Sequence, residues 1–154
     1  MKRRIAVRGI CFNSGKLLSV LHKDDEGVAT NFWSVPGGGL DPGEEIVAGL
    51  KREMIEETGI APEIGRLLFV QQFTGTISTG QQIEGLEFFF EIKNTQDYQT
   101  IDLSATSHGE IELAAIEWMD PKETNILPAF LQTYDIGDHI TANKPVYFYS
   151  QIQK

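Results

Sequence analysis

Apolar and polar residues along the chain follow patterns that predict several strands and one prominent helix. Residues 5–12 and 16–22 are rich in residues that favour strands, and the tight polar turn between them predicts a hairpin. Residues 32–35 form a further short predicted strand, which Pro36 and the three following glycines end. The N-terminal part of the chain is therefore predicted to consist of strands.

The clearest helical pattern covers residues 45–58. Apolar residues recur there at helical spacing and form a stripe expected to face the core: Ile46, Val47, Leu50 and Met54. Gly59 follows the last turn, where a left-handed residue commonly ends a helix. A turn at residues 41–43 precedes this predicted helix.

Shorter patterns predict the remaining elements. Four further strands are expected, at residues 67–74, 86–93, 116–119 and 146–152. A loop at residues 75–80 joins the first two, and residues 125–133 are predicted to form a helix. Strands on both sides of one long helix predict an α/β fold, with a mixed sheet between helices.

Composition and charge narrow the class of protein. The chain has 154 residues, the size of a single domain over residues 1–154, with 41% hydrophobic and 23% charged residues. Its only cysteine, Cys11, excludes an intramolecular disulfide framework and is expected to be a small core residue. A net charge of −9 argues against nucleic-acid binding and against a polybasic membrane anchor. No leader pattern or long apolar run is present, so a cytoplasmic protein is expected.

Three glutamates of the predicted helix point to chemistry. Glu57 lies one turn beyond Glu53, and Glu56 lies beside them at an i, i+3 offset. Neighbouring like charges on a helix repel each other, and a hard divalent cation such as Mg²⁺ relieves that repulsion through oxygen ligands. Three glutamates alone are more typical of a solvated acidic helix face than of a metal site, so the spacing around them decides.

That spacing follows the pattern G-x5-E-x7-R-E-U-x-E-E-x-G-U, where U is a bulky aliphatic residue. Nine specified positions are filled without substitution: Gly38, Glu44, Arg52, Glu53, Met54, Glu56, Glu57, Gly59 and Ile60. A chance match has a probability of about 10⁻⁷ from residue frequencies. The pattern resembles that of the MutT-like Nudix hydrolases, which implies an α/β/α sandwich.

The resemblance also implies site residues and partners. Family members use Mg²⁺ or Mn²⁺ to hydrolyse a nucleoside diphosphate linked to another group, so a nucleotide-derived substrate is expected. By that likeness Glu53, Glu56 and Glu57 bind the metal, and the backbone carbonyl of Gly38 adds a ligand. Glu44 and Arg52 are expected to hold the loop and orient a ligand carboxylate. The protein is expected to be a monomer or a homodimer.

The general base is left open by the sequence. In some Nudix enzymes a glutamate of the motif deprotonates the water, and in others a glutamate of a later loop does so. Residues 107–112 lie in the corresponding region here, and they make Glu112 the first candidate and Glu110 the second. Glu56 is the candidate within the motif.

The substrate is also left open between nucleoside triphosphates and nucleotide sugars. A nucleotide-sensing domain without catalysis is the alternative function, and an isomerase or structural domain of the same fold is a third. Nudix proteins often carry a phosphate-contacting arginine where this chain has His22 and Lys23. Four aromatic residues are candidates either for stacking on a base or for the core: Phe12, Phe32, Trp33 and Phe73.

Overall fold

Strands dominate the computed structural model of the protein, which describes residues 1–77 and 79–152. Its strands are β1 (Lys2–Ile10), β2 (Phe12–Asn13), β3 (Lys16–Lys23), β4 (Ala29–Ser34), β5 (Gly37–Gly39), β6 (Ile64–Thr76), β7 (Gln82–Ile92), β8 (Leu113–Met119), β9 (Ile126–Leu127) and β10 (Tyr147–Gln151). Its α-helices are α1 (Ile46–Thr58), α2 (Gly109–Glu112) and α3 (Ile136–Thr141), and short 3₁₀ helices cover Thr95–Tyr98, Leu103–Ala105 and Ala129–Gln132.

Two mixed sheets of five strands each are formed within these residues. The first has the order β10-β6-β7-β1-β5, in which β1 runs parallel to β7 and antiparallel to β5. The second has the order β2-β3-β4-β9, and β8 pairs with β3. The predicted α/β class is thus observed, with the expected mixed sheet divided into two.

The predicted hairpin of residues 5–12 and 16–22 is wrong over most of its length. Phe12 and Asn13 pair across the turn with Leu17 and Lys16, and the Leu18 N–H donates to the Cys11 carbonyl at 2.9 Å. Strand β1 itself joins the other sheet, between β5 and β7. The reason is that β1 is buried on both faces at its C-terminal end, where Ile10 has no exposed surface. A strand of that kind belongs inside a sheet, with a partner on each side.

Two hydrophobic clusters hold the layers together. One fills the space between the sheets and includes Phe69, Phe89 and Phe130, whose rings meet edge to face. The other lies under α1, where Leu50 and Met54 pack with β1 and β7. Cys11 is fully buried in this second cluster, as the sequence predicts.

Helix α1 has the ends that its sequence predicts. The Glu45 side chain accepts a hydrogen bond from the Ala48 N–H at 3.3 Å and so caps the N-terminus. Gly59 adopts a left-handed conformation, with φ at 76°, and its N–H donates to the carbonyl of Ile55 at 2.8 Å. One residue of the predicted core stripe is misplaced, because Val47 is 40% exposed.

The predicted helix at residues 125–133 is wrong. This segment contains β9, then a cis bond before Pro128, then the 3₁₀ helix Ala129–Gln132. Proline within the segment disfavours a continuous helix, because it lacks the N–H and restricts the residue before it. The nearby α-helix is α3, which the side chain of Asp135 caps by accepting from the Asp138 N–H.

The other predicted strands are confirmed with shifted ends. Those at residues 32–35, 67–74, 86–93, 116–119 and 146–152 correspond to β4, β6, β7, β8 and β10. Most of the observed strands are longer because pairing continues past the locally strand-like residues. Of the predicted loop at residues 75–80, Ser78 lies outside the described residues.

The core contact of α1 gives a stability test. We expect Leu50→Ala to lower the free energy of unfolding by about 2–5 kcal/mol, because a fully buried leucine leaves a cavity when truncated. Val47→Ala, on the exposed side of the same helix, is the matched control and should cost much less. Urea denaturation followed by circular dichroism measures both, and equal losses would contradict the packing of α1.

Candidate active site

The acidic motif lies where α1 approaches the short glycine strand β5. A Cβ atom on Gly38 would stand 2.6 Å from the carboxylate carbon of Glu53. No real Cβ contact is that short, so the Glu53 carboxylate occupies space that any side chain at position 38 would need. The glycine of the motif is explained by this close approach.

Arg52 organises the carboxylates around it. Its Nε and Nη2 donate to the two oxygens of Glu44 at 2.7 and 2.9 Å, and Nη2 also donates to the Gly39 carbonyl at 3.3 Å. Its Nη1 donates to Glu53 Oε1 at 2.9 Å and to Glu56 Oε2 at 3.2 Å. The hydrogen bond from Arg52, with help from the Asp41 N–H, lowers the pKa of Glu44 to about 2.

Glu57 is the buried member of the cluster. Only 2% of the residue is exposed, and its Oε1 accepts a hydrogen bond from the Gly37 N–H at 3.1 Å. Its Oε2 is also buried and has no hydrogen-bond partner among the described residues. Burial raises the pKa of Glu57 to about 8, although the Gly37 N–H and the charge of Arg8 oppose the shift.

The pKa of Glu53 is also shifted by its surroundings. Its pKa is raised, first by burial and further by the charges of Glu56 and Glu112, while the bond from Arg52 acts in the opposite direction. Arg52 contacts one oxygen of Glu53 and one of Glu56. The cluster therefore holds more buried negative charge than Arg52 alone relieves.

The chemistry of these groups fits a hard divalent cation. Carboxylate oxygens are the ligands that Mg²⁺ prefers, and the unpartnered Oε2 of Glu57 lies beside them as a buried acceptor. The ligand set is incomplete as the side chains stand. Within the described residues, no three acidic, histidine or cysteine side chains are placed so that together they could hold a metal ion. Arg52 pairs with Glu53 at 2.9 Å and with Glu56 at 3.2 Å, so one oxygen of each already has a partner in the protein.

The loop that carries the candidate bases packs against α1. The His108 N–H donates to the Glu56 carbonyl at 3.2 Å, and Lys23 Nζ donates to the Glu110 carbonyl at 2.6 Å. Both Glu110 and Glu112 are exposed on α2. The charge of Glu112 contributes to the raised pKa values of Glu53 and Glu57, so this side chain lies near the acidic cluster.

A cavity of about 550 Å³ opens between the two sheets. It was not predicted from the sequence. Arg4, Arg8 and His22 line its basic side. Arg8 also links the cavity to the acidic cluster, because its charge acts on Glu57 while its Nη2 lies 3.5 Å from Glu87 Oε1. The available signal in the sequence was a charged residue, Arg8, among the otherwise apolar residues 5–12.

His22 contributes to the cavity as a neutral group. Burial, together with the positive charges of Arg8 and Arg4, lowers its pKa to about 4. The aromatic candidates divide between two places. Phe32 and Phe73 line the cavity, whereas Phe12 and Trp33 pack against the core between the sheets.

Fold and site together define a class: mixed α/β proteins in which a glycine strand and an acidic helix form one electronegative centre. The sequence matches the NUDIX domain over residues 2–139, and the chain belongs to the Nudix hydrolase family. It is 41% identical over 59 residues to the nucleoside triphosphatase NudI of Escherichia coli K12, a match covering 38% of this chain and 42% of that protein. The chain thus spans about two fifths of the length of the curated relatives it matches.

Solved structures share the fold. The MutT protein of Bacillus halodurans superposes with a TM-score of 0.62 at 20% identity, covering 96% of this chain and 89% of that one. A UDP-X diphosphatase superposes with a TM-score of 0.61 at 17% identity, covering 96% of this chain and 68% of that one. These likenesses confirm the predicted fold class.

The helices are too short or too polar to cross a bilayer, a finding that holds for the part of the chain that the structure describes.

The close approach of Gly38 gives a test of the acidic centre. We expect Mg²⁺ to raise the Tm of the wild-type protein by mass action. We expect Gly38→Ala to displace the Glu53 carboxylate and to reduce that rise. Gly39→Ala is the control, since its Cβ would meet Arg4 Nε at an ordinary 3.5 Å. Differential scanning calorimetry with and without Mg²⁺ compares the variants, and an equal rise in both would contradict the assignment.

Glu57 gives a pH test on the metal-free protein. Its pKa is about 8 in the folded state and 4.5 as the ordinary value, so the folded state binds more protons between these values. The free energy of unfolding therefore falls as the pH rises through that window. His22 has the opposite effect between about 4 and 6.5, so the effect of Glu57 is clearest from pH 6.5 to 8.

Denaturation in a chelator at pH 6.5 and 8 measures this dependence. We expect wild type to lose stability over the interval and Glu57→Gln to lose distinctly less. If the two proteins had the same pH dependence, Glu57 would not be the group that holds the proton.

Proposed function

We propose that the protein is a divalent-cation-dependent pyrophosphohydrolase that cleaves the phosphoanhydride of a nucleoside triphosphate. The observation that carries the proposal is the buried, unpartnered carboxylate oxygen of Glu57, beside Glu53 and close to a cavity with an arginine side. Membership of the Nudix hydrolase family supports the reaction class. A protein of net charge −9 needs such local positive charge to hold a polyphosphate.

The residues that would hold the cation are Glu53, Glu56 and Glu57, with the backbone carbonyl of Gly38. When bound, Mg²⁺ or Mn²⁺ neutralises the diphosphate, polarises phosphorus and lowers the pKa of the attacking water. Arg52 and Glu44 keep the carboxylates in place through the hydrogen bonds described above. Glu57 would bind the cation in its ionised form, so this side chain would release its proton on metal binding.

In the proposed reaction, Glu112 takes a proton from the water while the oxygen of that water attacks phosphorus. The bond between that phosphorus and the bridging oxygen breaks, and the bridging oxygen leaves with the other phosphate group. The position of Glu112 near Glu53 and Glu57 supports this role over Glu110, whose carbonyl is bound by Lys23. Glu56 is the alternative base, although Arg52 already binds its carboxylate.

The substrate is proposed as a nucleoside triphosphate, its base and sugar entering the cavity between the sheets and its phosphates passing Arg4 and Arg8. A cavity of about 550 Å³ is in the range of small-molecule sites. The sequence relative with the highest identity given above is a nucleoside triphosphatase, which supports this choice. A nucleotide sugar is the second candidate, since a UDP-X diphosphatase shares the fold.

Kinetics of glutamate variants test the proposal. Wild type should release phosphate or pyrophosphate from nucleoside triphosphates only with Mg²⁺ or Mn²⁺. Glu57→Gln should lower kcat about a hundredfold or more, because Lewis-acid catalysis supplies several kcal/mol and each ~1.4 kcal/mol is tenfold. Glu112→Gln should lower kcat by about 10²–10⁴ with substrate binding largely kept.

Two controls separate a specific site from a general acidic field. Glu110→Gln, on the same short helix, and Glu26→Gln, in an exposed turn, should both retain activity. Equal losses in all four variants would indicate a diffuse field and refute the site. An inactive Glu110→Gln with an active Glu112→Gln would move the base to Glu110, and nucleotide binding without any turnover would favour a sensing domain.

A further inference from the structure

Two buried polar groups in the cavity between the sheets have no partner. Gln71 is 5% exposed, and its Oε1 has no hydrogen-bond partner in the described ranges 1–77 and 79–152. The same is true of the Oγ of Ser34, and both residues line the cavity. Native proteins pair nearly all buried polar atoms, so an unpaired pair in one cavity points to a bound molecule.

The orientation of Gln71 follows from its neighbour. Gln71 on β6 and Glu87 on β7 are direct partners in the register, and Gln71 Nε2 lies 3.5 Å from Glu87 Oε2. The reversed amide would turn its oxygen towards the carboxylate, which is repulsive. Gln71 therefore presents Oε1 as an acceptor beside the acceptor oxygens of Glu87.

The contacts of Glu87 leave it able to bind a further donor. Its Oε1 lies 3.5 Å from Arg8 Nη2 and its Oε2 3.5 Å from Gln71 Nε2, both at the outer limit for a hydrogen bond. A carboxylate accepts about four hydrogen bonds. The cavity thus offers two neighbouring acceptors, Gln71 Oε1 and the Glu87 carboxylate, together with the Ser34 hydroxyl, which can donate a hydrogen bond.

Aromatic side chains supply the faces of this cavity. Phe32 and Phe73 both line it. The Phe73 ring lies over Gly85, where any Cβ would collide with the ring, so the absence of a side chain at Gly85 makes room for it. Aromatic faces of this kind stack on planar heterocycles.

We propose that Gln71, Glu87 and Ser34 select a base with an exocyclic amino group next to a ring nitrogen acceptor, the edge that cytosine and adenine share. Gln71 Oε1 and Glu87 accept the two amino hydrogens, and the Ser34 hydroxyl donates to the ring nitrogen. Uracil, thymine and hypoxanthine carry a carbonyl beside an N–H, the reverse pattern, and leave these buried acceptors unpaired. This specificity rests on the proposed function, since it names the substrate of the same site.

Nucleotide pairs that differ only at this edge test the proposal. The quantity to measure is kcat/KM with Mg²⁺, for dCTP compared with dUTP and for dATP compared with deoxyinosine triphosphate. Wild type should prefer the amino member of each pair by about tenfold or more, chiefly through KM. Gln71→Met, which keeps the length and removes the acceptor, should reduce the preference to about twofold or less, and Ser34→Ala should reduce it in part.

Gln72→Met is the matched control. Gln72 is the next residue of β6, and its Nε2 donates to Glu84 Oε1 at 2.8 Å, outside the cavity lining. This variant should keep the wild-type preference. Thermal unfolding of each variant shows whether it is folded before its specificity is compared.

The result that overturns the inference is equal kcat/KM for both members of each pair in wild type, or an unchanged preference in Gln71→Met. Failure of the proposed function has a different signature, the absence of turnover for every nucleotide. In that case, calorimetric titration of dCTP and dUTP in a chelator still decides the inference. Tighter binding of dCTP that Gln71→Met abolishes supports it, and equal binding refutes it.

Discussion

The close approach of α1 to β5 is the constraint on which the acidic centre depends. Gly37 has φ at 140°, and a Cβ there would collide with the Val7 carbonyl, so β5 can lie against β1 only without a side chain at that position. Its N–H then donates to Glu57, and the bare Cα of Gly38 lies against Glu53. At Gly37 and Gly38 the missing side chains thus allow the backbone to approach β1 and α1, and the carboxylates of Glu57 and Glu53 lie against them.

Positive charge is distributed unevenly among the carboxylates of the acidic centre, so their pKa values differ. Arg52 binds Glu44 through two nitrogens and holds its pKa low, at about 2. The same guanidinium does not contact Glu57, for which burial dominates and raises the pKa to about 8. The Gly37 N–H and the charge of Arg8 compensate this most buried carboxylate only in part, and a divalent cation is the chemical species suited to the remaining negative charge.

Local signals in the sequence were sufficient for α1 and for the residues of the acidic motif. The helical period, the capping position of Glu45 and the left-handed Gly59 all act within a few residues, so they can be read along the chain. The hairpin at residues 5–22 failed because strand partners are chosen by burial in three dimensions. The helix predicted at residues 125–133 is absent because Pro128 interrupts it, although this proline is itself visible in the sequence.

The cavity was not predictable in the same way. Its polar groups come from β1, β3, β4, β6, β7 and β10. These strands belong to two different sheets, which face each other only once the chain has folded. Gln71 and Glu87 are ordinary polar residues in the sequence, and they become neighbours only because β6 and β7 pair in this register. Their burial, and the missing partner of Gln71 Oε1, exist only in the folded protein.

Strand β1 lies between the acidic cluster on α1 and the cavity between the sheets, and it has residues on both sides. Val7 packs in the cluster under α1, whereas the next residue, Arg8, lines the cavity between the sheets. Alternation along a strand therefore places the helix that carries the carboxylates on one face and the cavity on the other. Arg8 is the link, since it approaches Glu87 and also acts on the charge of Glu57. In the proposed function, base recognition and phosphate chemistry would therefore depend on largely separate residues, and Arg8 is the position where a substitution would affect both.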